Sequence, residues 1–204
     1  MTKLAIVGSG GFAKEIFDIS LSLGFDVIGF INNPTLTPLP RPLIGHENDI
    51  KLLREKYGEF SIFLALGDIS LRSSIHSQIP PSVSQPVLFH DTANVFARKI
   101  GQGSVFYPHS VVMSDCLIGK NCIINAGATI GHDTNIGDFC NINPGVNIAG
   151  NVNVGSRTMI GIGAAIRENI SIGNNVTVGA GAVVVKDLPD NAVYIGNPAR
   201  IKND

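Results

Sequence analysis

The chemistry this 204-residue chain could do centres on His132 and Asp133. A carboxylate beside an imidazole holds the ring in one tautomer and leaves the other nitrogen to take a proton. The pair therefore reads as a general base for an amine or hydroxyl nucleophile, with an inert polar surface pair as the alternative. A second group is Gly8, Gly10 and Ala13, which follow G-x-G-x-x-[GA] between a strand and a helix. Exposed amides at such a helix start can hold a phosphate. A nicotinamide site would also want an acid after the second strand, where Asn32 and Asn33 stand instead. The glycine pattern alone describes equally well a tight turn with no ligand, and the segment is short for a full dinucleotide fold. His46, His76, His90 and His109 are scattered, so no zinc spacing arises and no metal is expected.

These residues must be positioned by two kinds of element. From Ile100 to about Leu188 every sixth residue is apolar, in the series Ile100, Phe106, Val112, Ile118 and on to Val184. The fifth position of each hexad is small or aliphatic, from Ser104 through Ala128 to Leu188, with no residue inserted or lost. A period of six fits neither an α-helix nor a single amphipathic strand. It fits a left-handed parallel β-helix, in which three short strands make one triangular coil and coils stack about 4.8 Å apart. One coil is eighteen residues, so His132 falls at an outward corner between Ser114 and Gly150, and Gly150 leaves open space along that edge. Cys116, Cys122 and Cys140 all take the small inward position and read as core filling in a reducing compartment.

Ahead of the coils, Lys3–Val7, a helix over Phe12–Leu23 and Asp26–Ile31 open a β-α-β unit of a doubly wound sheet, with Gly24 ending the helix. Asn32–Pro42 carries four prolines and reads as a loop. Helices over Glu47–Tyr57 and Ile69–Gln78, a strand over Ser61–Leu66 and a last strand at Val87–Phe89 complete the domain. The fold expected is α/β plus all-β, with a small Rossmann-like domain over 1–85 and a β-helix with a C-terminal cap over 86–204. The net charge of −1 and the lack of a basic stripe argue against nucleic acid. No apolar run approaches a membrane span and no secretory leader is visible, so the expected location is the cytoplasm.

Over nearly its full length the chain resembles bacterial sugar acetyltransferases that place a small nucleotide-binding-like domain before a hexapeptide-repeat β-helix. The resemblance rests on Ile6-Val7-Gly8-Ser9-Gly10-Gly11-Phe12-Ala13-Lys14-Glu15, Gly29-Phe30-Ile31-Asn32-Asn33, Ala65-Leu66-Gly67-Asp68, Asn125-Ala126-Gly127-Ala128 and Gly196-Asn197-Pro198-Ala199. It implies a homotrimer with active sites between subunits, acetyl-CoA as co-substrate, and a sugar or nucleotide sugar of bacterial glycan synthesis as acceptor. It implies His132 as general base with Asp133 as its acidic neighbour, and cofactor contacts at Asn141, Gly150, Ile162 and Ala180. Substrate contacts are implied at Gly10, Gly11, Phe12, Asn32, Asn33, Gly67 and Asp68. Arg167, Lys186 and Arg200 are candidate partners for the CoA phosphates. N-acetylation of an amino sugar is the leading expectation; O-acetylation of sialic acid or a related sugar is the alternative. A nicotinamide-dependent oxidoreductase explains only the glycine loop, and a non-catalytic trimeric platform leaves the His-Asp pair without a role.

Overall fold

The computed structural model describes residues 1–32 and 38–202 and divides into two units, Met1–Leu88 and Phe89–Asp204. In the first unit the elements are β1 (Lys3–Val7), α1 (Gly11–Ser22), β2 (Asp26–Ile31), β3 (Leu43–Gly45), a 3-10 turn (Glu47–Asp49), α2 (Ile50–Tyr57), β4 (Ser61–Leu64) and α3 (Ile69–Gln78). The four strands form one parallel sheet in the order β3-β2-β1-β4. Leu4 to Val7 and Ile62 to Leu64 are buried, as strands covered on both faces must be. Gly24, at φ 77°, ends α1 and lets Phe25 N–H reach back to Ser20 C=O at 3.0 Å. Three details depart from the sequence reading. The helix expected over Glu47–Tyr57 is α-helical only from Ile50, β4 stops at Leu64, and the short strand β3 follows the proline-rich stretch.

The second unit is a left-handed β-helix of two-residue strands stacked in three parallel faces. Register is held coil after coil: Leu117 pairs with Lys99 and Asn135, and Ile142 with Ile124 and Ile160. The apolar first positions from Phe106 to Val184 and the fifth positions from Ser104 to Leu188 are all buried. The fourth position of every hexad from Gly103 to Gly181 is left-handed, with φ between 51° and 70°. This is the bend at each corner, and it explains why Gly, Asn and Asp fill most of these positions. Phe139 and Arg157 adopt the same conformation without that excuse.

Two corrections concern the ends of the repeat. Leu88–Phe89 is not a last strand before the coils; it neighbours Val105–Phe106 in the longest face and begins the prism. Asn94–Val95 belongs to that first coil, which the hexads miss because it is one residue short between Val95 and Lys99. At the other end Leu188 bridges Ile172 and takes a first position, not a fifth. The coil is two residues short after Val184, where the Asp187 carboxylate accepts the Ser171 N–H at 2.8 Å and cuts the corner. The chain then closes with the antiparallel pair Val193–Ile195 and Arg200–Ile201.

Arg157 is exposed at φ 57°, a conformation that suits Asn and strains a branched-free long side chain through its Cβ. Arg157→Asn is expected to raise stability by about 0.5–1 kcal/mol in chemical denaturation. A loss would mean that the Arg157 side chain contributes more than its backbone costs.

Candidate active site

The three corners of the prism differ in how their third-position amides are satisfied. On the first corner the side chains form a ladder. Lys120 N–H donates to Asp138 Oδ1 (2.9 Å), Asp138 N–H to Ser156 Oγ (3.1 Å), Ser156 N–H to Asn174 Oδ1 (2.9 Å) and Asn174 N–H to Asp190 Oδ1 (2.8 Å). The second corner carries Pro108, Ala126, Pro144, Ile162 and Ala180, and the third carries Ser114, His132, Gly150, Glu168 and Lys186. Among the described residues the N–H groups of Ile162, Ala180, Gly150 and Glu168 meet no acceptor in the chain. Two corners thus present lines of amides to whatever lies beside them, whereas the first is closed by its own side chains.

His132 sits on the third corner. The left-handed backbone of Asp133, φ 58°, turns its carboxylate back so that Oδ2 lies 2.7 Å from His132 Nδ1. Both side chains are exposed. The backbone is held from both neighbouring coils, since Asp133 N–H donates to Ser114 C=O (3.1 Å) and His132 C=O accepts from Asn151 N–H (2.8 Å). With Nδ1 engaged by the carboxylate, Nε2 is the nitrogen left for a reacting group. The space at Gly150 is not open as the sequence suggests. A Cβ there would stand 2.7 Å from Nε2 and 2.8 Å from Cε1, so the imidazole itself lies over Gly150. Beneath the pair, Cys116 donates to Gly131 C=O at 3.0 Å. Burial pushes its thiol up, the Thr134 backbone opposes this, and the Asp133 and Asp115 carboxylates add to it, so it is a neutral donor and no nucleophile.

Of the other cofactor candidates, Ile162 and Ala180 share the second corner one coil apart, and Ile162 is exposed. Asn141 lies on a flat face, buried, its N–H used in the ladder to Thr158 C=O at 3.0 Å. Each side of the triangle is one hexad, at most roughly 20 Å of extended chain. Gly150 and Ile162 therefore cannot touch one small group within a single chain.

In the first unit the candidate substrate residues cluster at the carboxyl ends of the strands, where open α/β sheets bind ligands. Gly8, at φ 124°, is packing: a Cβ would stand 2.5 Å from Ala65 C=O. Gly10, Gly11 and Gly67 have open space where a Cβ would be. Gly10 caps α1 without a side-chain bond, and no acid occupies the first turn. Asn32 Nδ2 donates to Ser9 Oγ at 2.7 Å, tying the end of β2 to the glycine loop. Asn33 lies outside the described residues. Asp68 has a structural task as N-cap of α3, accepting Leu71 N–H at 2.7 Å. Sequence reasoning missed Arg72, which is almost wholly buried and donates to the carbonyls of Leu66 and Gly67. Its only signal was a cation four places after an N-cap acid.

Among the described residues no group of three or more His, Cys, Asp or Glu side chains could hold a metal ion. Among them, too, no helix is long and apolar enough to cross a membrane.

Residues 3–79 match the PglD N-terminal domain, and residues 99–132 and 151–186 match the bacterial transferase hexapeptide. No curated protein matches the chain. Among solved structures, it is similar to the acetyltransferase domain of PglB from Neisseria gonorrhoeae in complex with acetyl coenzyme A. The two are 34% identical over 98% of each chain, with a TM-score of 0.90. PerB from Caulobacter crescentus, in complex with CoA and GDP-perosamine, is 33% identical over 100% of this chain and 98% of its own, with a TM-score of 0.90. WeeI from Acinetobacter baumannii is 25% identical over 99% and 100%, with a TM-score of 0.88.

Gly150→Ala is expected to push the imidazole off its seat and lower turnover at least about tenfold with little loss of stability, since one methyl against a side chain can be relieved by moving that side chain. Steady-state rates beside a melting curve test this. Asp68→Ala is expected to cost about 1 kcal/mol and Asp68→Asn almost nothing, because Asn also caps.

Proposed function

The chain belongs to the bacterial sugar acetyltransferases that join a PglD N-terminal domain to transferase hexapeptide repeats, and from this we infer N-acetylation of a nucleotide-linked amino sugar by acetyl-CoA. It is an acyltransferase; the acceptor, the amine and the base are our reading. The observation that carries the reading is the 2.7 Å contact between His132 Nδ1 and the Asp133 carboxylate, at a corner lined with amides that meet no acceptor among the described residues. The match to PerB, whose solved complex contains a nucleotide-linked amino sugar, favours an amine over a hydroxyl acceptor.

His132 Nε2 takes the proton of the amine as its nitrogen attacks the thioester carbonyl carbon. Asp133 stabilises the imidazolium and keeps the tautomer correct throughout. As the tetrahedral centre collapses, the C–S bond breaks and the imidazolium returns its proton to the departing thiolate. The products are the amide and free CoA, and His132 ends neutral as it began. Direct transfer needs both substrates together, and proximity supplies much of the rate. The unpaired amides of Gly150, Ile162 and Ala180 suit a donor held largely through its backbone-like amide groups. Gly150 and Ile162 stand on different corners, which suits a donor lying between two copies of the chain, as in a homotrimer. The glycine loop, Asn32 and Gly67 would hold the nucleotide sugar.

A thiol-release assay with acetyl-CoA and UDP-, dTDP-, GDP- and CMP-linked amino sugars tests the function. Turnover with at least one amino sugar is expected, and none with the hydroxyl analogues. His132→Ala should lower kcat by two to four orders of magnitude, about the usual worth of a general base. An unchanged kcat would remove His132 from the reaction, and no thiol release with any acceptor would favour a non-catalytic platform.

A further inference from the structure

Thr134 is fully buried at the inward fifth position just after the His132-Asp133 corner, and its hydroxyl makes two bonds to the next coil. It donates to Ala149 C=O at 3.2 Å and accepts Val152 N–H at 3.2 Å. A hydroxyl has one hydrogen to give, and His132 C=O, at 3.5 Å, is the farther of the two carbonyls it faces. One coil earlier the Cys116 thiol serves Gly131 C=O in the same way, at 3.0 Å. The next fifth positions on this corner are Val152 and Ile170, which have no side-chain hydrogen to donate. Among the described residues, the run of inward donors on this corner therefore ends with Thr134.

The carbonyl that Thr134 holds belongs to the Ala149–Gly150 peptide, and this peptide is the seat of the imidazole. A Cβ on Gly131 would stand 2.5 Å from Ala149 C and from Gly150 N, so the His132 coil lies directly against it. A Cβ on Gly150 would stand 2.7 Å from His132 Nε2. A trans peptide points its C=O and N–H in opposite directions. With Ala149 C=O drawn inward by the hydroxyl, Gly150 N–H faces outward at the corner, where it meets no acceptor among the described residues. The tilt of this one peptide sets both the surface under the ring and the aim of that N–H.

We infer that Thr134 is a positioning residue for His132: from inside the prism, its hydroxyl fixes the peptide on which the imidazole sits. The role rests on the reading of His132 as general base and adds to it a residue that never meets the substrates. The first corner supplies the comparison. There Thr158, also fully buried at a fifth position, donates to Gly173 C=O at 2.8 Å and accepts Val176 N–H at 3.1 Å. These are the same two bonds, at a corner that carries no imidazole. What the hydroxyl does for the fold is common to both threonines, and what it does for the base belongs to Thr134.

The test compares the wild-type protein with Thr134→Val, Thr134→Ser, Thr134→Ala and Thr158→Val by thiol release, each rate taken well below that variant's melting temperature. Thr134→Val should lower kcat about tenfold and leave KM for acetyl-CoA nearly unchanged, because a base off its seat costs rate more than binding. Thr134→Ser keeps the donor and should keep the wild-type kcat. Thr158→Val should melt as low as Thr134→Val and also keep the wild-type kcat. Joined to Gly150→Ala, which displaces the same ring, Thr134→Val should cost much less than the product of the two single losses. Should Thr134→Val not fold, the serine and alanine variants, which differ only in the hydroxyl, decide the same question. A wild-type kcat in Thr134→Val, an equal loss in Thr158→Val, or a serine variant as slow as the alanine one overturns the role. If the wild-type protein releases no thiol, or His132→Ala leaves kcat unchanged, the general-base reading falls first and the role of Thr134 with it.

Discussion

In the second unit each apolar first-position side chain must point into the prism directly against its counterpart one coil away. Phe106, Ile124, Ile142, Ile160 and Val178 form one such column, all fully buried. A shift of one residue would turn every one of them outward, so burial alone holds the register across the stack. Because register is held, a residue on the surface has a defined neighbour above and below. That is what allows isolated side chains many residues apart to form one line of chemistry.

The corners follow from the same constraint. A chain that returns beneath itself has to bend three times per coil, and it does so with a left-handed residue at the fourth position each time. The third-position amide just before each bend points away from the ladder. The first corner resolves this with Asp138, Ser156, Asn174 and Asp190, each taking an amide from the previous coil. The third corner puts His132, Gly150 and Glu168 in the same places and leaves the amides unspent. Closed and open corners are thus one geometry with different side chains. The bend itself aims the Asp133 carboxylate at His132, so the arrangement of this pair needs no special loop.

The first unit uses a different device. Gly8 is required because Ala65 C=O approaches it closely, but Gly10, Gly11 and Gly67 are not required by packing. They border the carboxyl end of the sheet, beside a start of α1 that carries no acid in its first turn and so disfavours an anion least. Arg72 braces the Leu66-Gly67 turn from inside with charged donors, and Asp68 caps α3 from outside. The turn is thus held on both sides by charged groups bonded to the backbone.

The sequence by itself determined the coil period, the inward columns and the corner that carries His132, because stacking at a fixed repeat converts spacing directly into position. It also marked the β-α-β opening of the first unit, since an apolar strand followed by glycines and an amphipathic helix has few other folds. It did not reveal the short coil after Val95 or the two-residue loss after Val184, where pairing depends on how the chain closes and not on the repeat. Nor could it show that the imidazole occupies the space over Gly150 or that Arg72 is buried. Those depend on χ angles and on which atoms meet across elements. That Lys186 and Arg200 line one cavity was decided only by the fold of the cap, which brings back a residue that has already left the repeat.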